Sequence, residues 1–192
     1  MSYATYFESF DVKELLEQFP LDQAFTDKFK AISREQLRAE QNEKFLRCVA
    51  RALQIPFYQR LWGNAGIKPE DIRSLDDITK LPVFGKHEIM ASVEACPPLG
   101  DFHGWQDGTE AGSKPLVFHT TSGTTGRPQP LVFSPHSREV QSLLLARLYR
   151  WQGMAPGDVV HSVYGHGMIN GGHYVREAIT HYTQALFCSA GT

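Results

Sequence analysis

From Leu116 onward the chain alternates short β-forming runs with helix-forming stretches, and that order restricts it to an α/β fold. Leu116-Val117-Phe118-His119-Thr120 reads as a strand, and Leu131-Val132-Phe133 as a second after a glycine turn. Ser134 then caps a helix with Pro135 at its first position, the favoured arrangement. Val140, Leu144, Leu148 and Trp151 share one face of that helix, Leu143-Leu144-Leu145 reads as core packing, and Gly153 ends it. Asp158 to Tyr164 is the next strand, His173 to Tyr182 a short helix, and Ala185-Leu186-Phe187-Cys188 a final strand. Strand, helix and strand in succession form a βαβ unit, normally parallel and right-handed. The expected architecture is part of a mostly parallel sheet with flanking helices.

Residues 1–95 read as a helical N-terminal segment. Asp11 caps a helix running to Phe19, and Pro20 stops it. Ser33 with Gln36 three residues on fits a capping box. Behind it Leu37, Phe45, Cys48, Val49 and Ala52 recur at helical spacing. Pro56 marks a break, and Phe57, Tyr58, Leu61 and Trp62 form a second apolar cluster ended by Gly63 and Gly66. Lys68 to Asp71 starts one short helix, and Ser74 or Asp76 another that Leu81-Pro82-Val83 interrupts. Residues 96–114, punctuated by Pro97, Pro98, Gly100, Gly104, Gly108 and Gly112, read as a flexible connection to an α/β part at 115–192.

Composition narrows the function classes. Lysine plus arginine number 19 and aspartate plus glutamate 21, a net charge of −2 that gives no sign of a nucleic-acid or membrane-surface partner. No apolar run reaches the length of a membrane span, and the amino terminus lacks a signal pattern. The three cysteines, Cys48, Cys96 and Cys188, have neither an even count nor metal spacing, which points to a reducing, cytoplasmic setting.

The stretch that carries chemistry is Thr120-Thr121-Ser122-Gly123-Thr124-Thr125-Gly126-Arg127-Pro128. It sets hydroxyls and glycines on a loop directly after a strand. Glycines let the backbone turn tightly and approach a ligand, and successive N–H groups in such a turn can form an anion nest. The hydroxyls add donors and Arg127 a fixed positive charge suited to phosphate. The Walker spacing and the dinucleotide fingerprint are both absent. A plain polar hairpin between two strands has the same composition, so the residues alone leave both readings open.

This loop resembles the phosphate-binding signature of the adenylate-forming superfamily, the acyl- and aryl-CoA ligases, and within it most resembles phenylacetate–CoA ligases. Other places agree in order from about residue 40: Pro56 to Leu61, Ala65 to Ile72, Ser74 to Pro82 with Lys86 following, and Tyr164-Gly165-His166-Gly167-Met168-Ile169-Asn170-Gly171-Gly172. The resemblance implies the N-terminal domain of a carboxylate–CoA ligase, incomplete here. Thr121, Ser122, Gly123, Thr124, Thr125, Gly126 and Arg127 would bind ATP phosphates, and Tyr164, His166, Ile169 and Gly171 would line the substrate side. ATP, Mg²⁺ bridging its phosphates, and CoA are the implied cofactors and co-substrates. A small-molecule carboxylic acid and the remainder of its own chain are the implied partners, and a homodimer stays open. The lysine expected to serve adenylation lies outside these residues. The chain is accordingly expected to be a portion of a longer enzyme and inactive alone.

Four positions depart from the family pattern. Arginine at 127 stands where lysine is frequent, which keeps the charge. Gln129 stands where many members carry lysine, as phenylacetate–CoA ligases also commonly do not. Histidine at 166 replaces a tyrosine, and isoleucine at 169 replaces a phenylalanine, which removes a ring from the implied pocket wall. Acceptors other than CoA, such as a carrier protein or an amine, remain alternatives, as does a non-catalytic nucleotide-binding or interaction module. Tyr164 is read either as pocket wall or as a core tyrosine, and Gly171-Gly172 either as close backbone to ligand or as a turn. His119 reads as a core residue. His161, His166 and His173 lack zinc-site spacing, so no metal ligands are assigned.

Overall fold

The computed structural model describes residues 4–105, 115–124 and 126–191. The chain is mixed α/β and divides into two compact units: residues 1–30 with 112–192, and residues 31–111. This division departs from the linear ranges read from sequence, because the first thirty residues pack with the α/β part. The remainder of the expected connection, 106–114, lies outside the described residues.

In the discontinuous unit, α1 (Val12–Gln18) is capped by Asp11, whose Oδ1 accepts from the N–H of Lys13 at 2.7 Å. Its Leu15 is 1% exposed and packs with Leu143, Ala146, Ala178 and Tyr182, ringed by Phe10, Phe19 and Leu21. That apolar contact is what draws the amino terminus into this body. A further helix, α2 (Asp22–Ala31), was not expected; it buries no residue, and only Phe25 and Phe29 mark an apolar face. The Arg147 guanidinium lies over the Phe25 ring at 4.1 Å.

Strands β1 (Val117–Thr120) and β2 (Pro130–Phe133) pair antiparallel, with Val117 opposite Phe133 and Thr120 opposite Pro130. Helix α6 (Pro135–Trp151) follows, with the Ser134 hydroxyl accepting from the N–H of Ser137 at 3.2 Å. Strand β3 (Val159–Ser162), helix α7 (Asn170–Tyr182) and strand β4 (Leu186–Ser189) complete the order. β3 and β4 pair in parallel around α7, which is the expected βαβ unit. Parallel pairing is thus confined among the described strands to β3 and β4, plus one bridge from Thr120 to Ile169. The short loop after β1 permits only an antiparallel return.

The buried side of α6 differs from expectation. Leu144, Leu148 and Trp151 are exposed, while Arg138, Glu139, Ser142, Leu143 and Ala146 are buried. Charged side chains tolerate that burial because they are paired. Arg138, 0% exposed, donates to Glu177 and to Asn170 Oδ1 and sits 5.3 Å from the centroid of the Phe133 ring. Glu139 accepts from the Tyr6 hydroxyl at 2.7 Å and the Tyr182 hydroxyl at 2.6 Å, with His181 Nδ1 at 3.1 Å.

In the other unit, α3 (Arg34–Ala52) opens on the expected capping box. The N–H of Gln36 donates to Ser33 Oγ at 3.2 Å, and Gln36 Oε1 accepts from the N–H of Ser33 at 2.8 Å. α4 (Pro56–Asn64) has proline at its first position, and Val49, Trp62 and Ile72 form the core. The two short helices expected next are 3₁₀ turns, Pro69–Asp71 and Leu75–Lys80. α5 (Lys86–Ala95) follows; its Ser92 hydroxyl donates to Asp101 at 2.7 Å, and Asp101 also takes Arg60 at 2.5 Å.

Candidate functional site

The hydroxyl-rich loop is held by its own backbone geometry. At its base the N–H of Thr121 donates to the Gln129 carbonyl at 3.0 Å, and the N–H of Gln129 donates to Thr121 Oγ1 at 2.9 Å. Thr121 therefore uses its side-chain oxygen to close the loop. Gly123 has φ +69°, and a Cβ there would stand 2.8 Å from Pro128 Cγ, so only glycine fits. The N–H of Gly126 donates to the Gly123 carbonyl at 2.9 Å, tightening the tip. Ser122, Thr124, Gly126 and Arg127 are exposed. Thr125 lies outside the described residues. A rigid turn carrying outward hydroxyls beside an arginine can receive an anion. The hairpin alternative is right about the topology, since β1 and β2 do pair antiparallel, and a hairpin frame is compatible with an anion-binding tip.

The second candidate segment meets the first at one point. The N–H of Thr120, the last residue of β1, donates to the Met168 carbonyl at 2.8 Å, and Thr120 bridges Ile169 in parallel. The base of the loop and the glycine-rich turn at 164–172 are therefore hydrogen-bonded neighbours. Tyr164 is 56% exposed and Ile169 49%, with Val163 and Met168 also exposed. Tyr164 is accordingly a surface residue rather than a core tyrosine, and the turn presents an apolar patch of the kind that marks binding sites.

Gly171 and Gly172 divide the roles left open between them. A Cβ on Gly172 would lie 2.4 Å from the Gly165 carbonyl oxygen, so this glycine admits the turn's own backbone, whereas Gly171 faces nothing within 4 Å. His166 is directed to the end of β4: its Nδ1 is 3.3 Å from Ser189 Oγ, and its buried Nε2 has no hydrogen-bond partner. His119 is buried beneath the loop strand, as expected. Burial, reinforced by the Arg138 charge and by His173, pushes its imidazole below the ordinary histidine value and keeps it neutral.

Three neighbours of the site carried no sequence signal for this role. Arg138 and Glu177 look like surface charges on their helices, and His173 was weighed only as a metal ligand. His173 stacks on His119 with ring centroids 4.6 Å apart. Among the described residues no group of three or more His, Cys, Asp or Glu side chains could hold a metal ion. Cys188 is half-buried on β4 and is a free thiol. No described helix is long and apolar enough to cross a membrane.

No family model matches the chain. It is 30% identical over 149 residues to a phenylacetate–coenzyme A ligase of Thermus thermophilus, covering 77% of this chain and 31% of that protein. A phenylacetate–coenzyme A ligase of Pseudomonas putida is 29% identical over 162 residues, covering 82% and 35%. Among solved structures, an open conformation of 2-hydroxyisobutyryl-CoA ligase in complex with 2-HIB-AMP and CoA superposes with TM-score 0.72 at 24% identity, covering 84% of this chain and 36% of that one. The same ligase in its thioesterification state gives TM-score 0.68 at 28% identity, covering 80% and 32%. The chain spans about a third of the length of the curated relatives it matches. The resemblance read from the loop and the glycine-rich turn holds: this chain is similar to the N-terminal portion of phenylacetate–CoA ligases, and its fold is that of part of a CoA ligase.

Proposed function

We propose that these residues are the N-terminal portion of an ATP-dependent carboxylate–CoA ligase. In the first step a carboxylate oxygen bonds to the α-phosphorus of ATP, and the bond to the bridging oxygen breaks, releasing pyrophosphate. In the second the CoA thiol, losing its proton, bonds to the acyl carbon, and AMP leaves with the carboxylate oxygen. The observation that carries this reading is the hydrogen bond from Thr120 to Met168, which sets the hydroxyl loop beside the exposed turn.

The chain's own residues would act by position and charge. Ser122, Thr124 and Thr125 with the Gly123 amide would hold the β- and γ-phosphates, Gly126 would tighten the tip around them, and Arg127 would offset their charge. Thr121 would keep the loop closed. Tyr164, Ile169, His166 and Gly171 would border the acid. Isoleucine at 169 leaves room that a ring would fill, which favours an acid with a bulkier or branched acyl group near that residue. Mg²⁺ would neutralise phosphate charge when bound. The 192 residues alone are expected to be inactive, and the protein to work in the cytoplasm.

The test is carboxylate-dependent ATP–pyrophosphate exchange by the full-length protein, run over a panel of aryl and branched aliphatic acids. CoA and a carrier protein are then compared as acceptors. Thioester formed on CoA supports the reading. Transfer only to a carrier protein or an amine moves it to another adenylating class, and absence of exchange with every acid leaves a binding module.

A further inference from the structure

His173 lies at the junction of the two candidate segments, and its ring contacts both the 164–172 turn and β1. Nε2 stands 2.8 Å from the Gly167 carbonyl oxygen and 3.1 Å from that of His166. Both partners only accept, so this nitrogen carries the proton. The ring also stacks on His119, a buried residue of β1, the strand leading to the hydroxyl loop. His166 packs edge-on against it at 5.4 Å. One residue earlier, Gly172 lets the Gly165 carbonyl approach more closely than any side chain would permit.

The turn has little else to hold it. Val163, Tyr164, Met168 and Ile169 are exposed, and Gly165 and Gly167 lend the backbone freedom. Its fixed points are the Met168 carbonyl on Thr120, the Tyr164–Gly165 backbone against Gly172 and Gly191, His166 on Ser189, Asn170 on Arg138, and the Nε2 bond to Gly167. We infer that His173 is a positioning residue that locks the acid-facing turn onto the phosphate-facing strand through its Nε2 bond to Gly167 and its stack on His119. The part played at the acid site rests on the ligase reading, and the lock itself does not.

The test uses the full-length protein with two substitutions. His173→Phe keeps a ring and removes the donor, and His173→Gln keeps a donor at the same distance along the side chain. In His173→Phe the amide of Thr120, which donates to the Met168 carbonyl of the turn, should exchange with deuterium about tenfold faster while those of 117–119 hold. In the same variant KM for the acid should rise about tenfold, with kcat and KM for ATP changed less than about threefold. His173→Gln should restore both values to within about threefold of the parent. Exchange and KM unchanged in His173→Phe, or His173→Gln behaving like His173→Phe, overturns the inference. Histidine ¹⁵N spectra of the parent protein give a check that needs no variant: a neutral His173 protonated at Nδ1 also overturns it. If the parent gives no acid-dependent exchange of pyrophosphate, the ligase reading falls, and the deuterium and ¹⁵N measurements still decide the lock.

Discussion

Arg138 on α6 and Glu177 on α7 form an ion pair in the interior of the α/β unit, with the arginine side chain fully buried and the glutamate nearly so. A charge buried this deeply is tolerated only with its partner in place. Removing the arginine alone, as Arg138→Met, should cost about 3–5 kcal/mol, because Glu177 then keeps a buried charge. The double variant Arg138→Met with Glu177→Leu should recover most of the loss. Urea denaturation of the two proteins checks both values.

Glu139 sets a pH window for stability. Burial pushes its carboxyl up, but hydrogen bonds from His181, Tyr182 and Tyr6 outweigh that and hold it below the ordinary 4.5. Its stabilising contribution is present above 4.5 and is lost as pH falls through the lower folded value. His181 is raised above 6.5, chiefly by its hydrogen bond to Glu139, against the opposing effect of burial. Its contribution is complete below 6.5 and is lost as pH rises through the higher folded value. The pair therefore stabilises most between 4.5 and 6.5. Glu139→Gln should flatten both flanks and lower stability by about 1–3 kcal/mol inside the window, read from urea midpoints across pH.

Adjacent glycines should respond in opposite directions. Gly172→Ala drives a methyl into the Gly165 carbonyl and should cost about 1–3 kcal/mol. Gly171→Ala meets open space inside α7 and should gain about 0.5–1 kcal/mol. Thermal melts of the two variants separate backbone approach from a simple turn.

The loop makes its own prediction. Ser122→Ala and Thr124→Ala should each raise KM for ATP by about tenfold in the full-length protein, with little change in melting temperature. Gly123→Ala should do worse than either, since it strains a positive φ and collides with Pro128. Pyrophosphate-exchange kinetics at varied ATP give the comparison.

Local chemistry was readable wherever a residue acts on its near neighbours. The Asp11, Ser33 and Ser134 caps, the proline start of α6, and the loop glycines all follow from sequence spacing, and each occurs as expected, whereas Pro56, read as a break, opens α4. What escaped was long-range. Apolar periodicity put Leu144, Leu148 and Trp151 inward on α6, but the helix turns its Arg138–Glu139 side to the core because α7 and the amino terminus supply Glu177, Tyr182 and Tyr6. Nothing near Arg138 in sequence announces those partners. Helix α2 escaped for the opposite reason: it buries nothing, so it leaves no stripe to find. At the site, the loop and the turn were legible as motifs, whereas their meeting through Thr120 and Met168 depends on a strand bridge that composition does not encode.

Leu15 gives the fold a kinetic order. It is made early, yet its neighbours Leu143, Ala146 and Ala178 belong to helices made much later. As the protein emerges from the ribosome, residues 31–111 have their core partners at hand, while α1 waits, apolar face uncovered, for α6 and α7. A tag or deletion that disturbs α1 should lower the yield of folded protein well before it touches any residue of the loop.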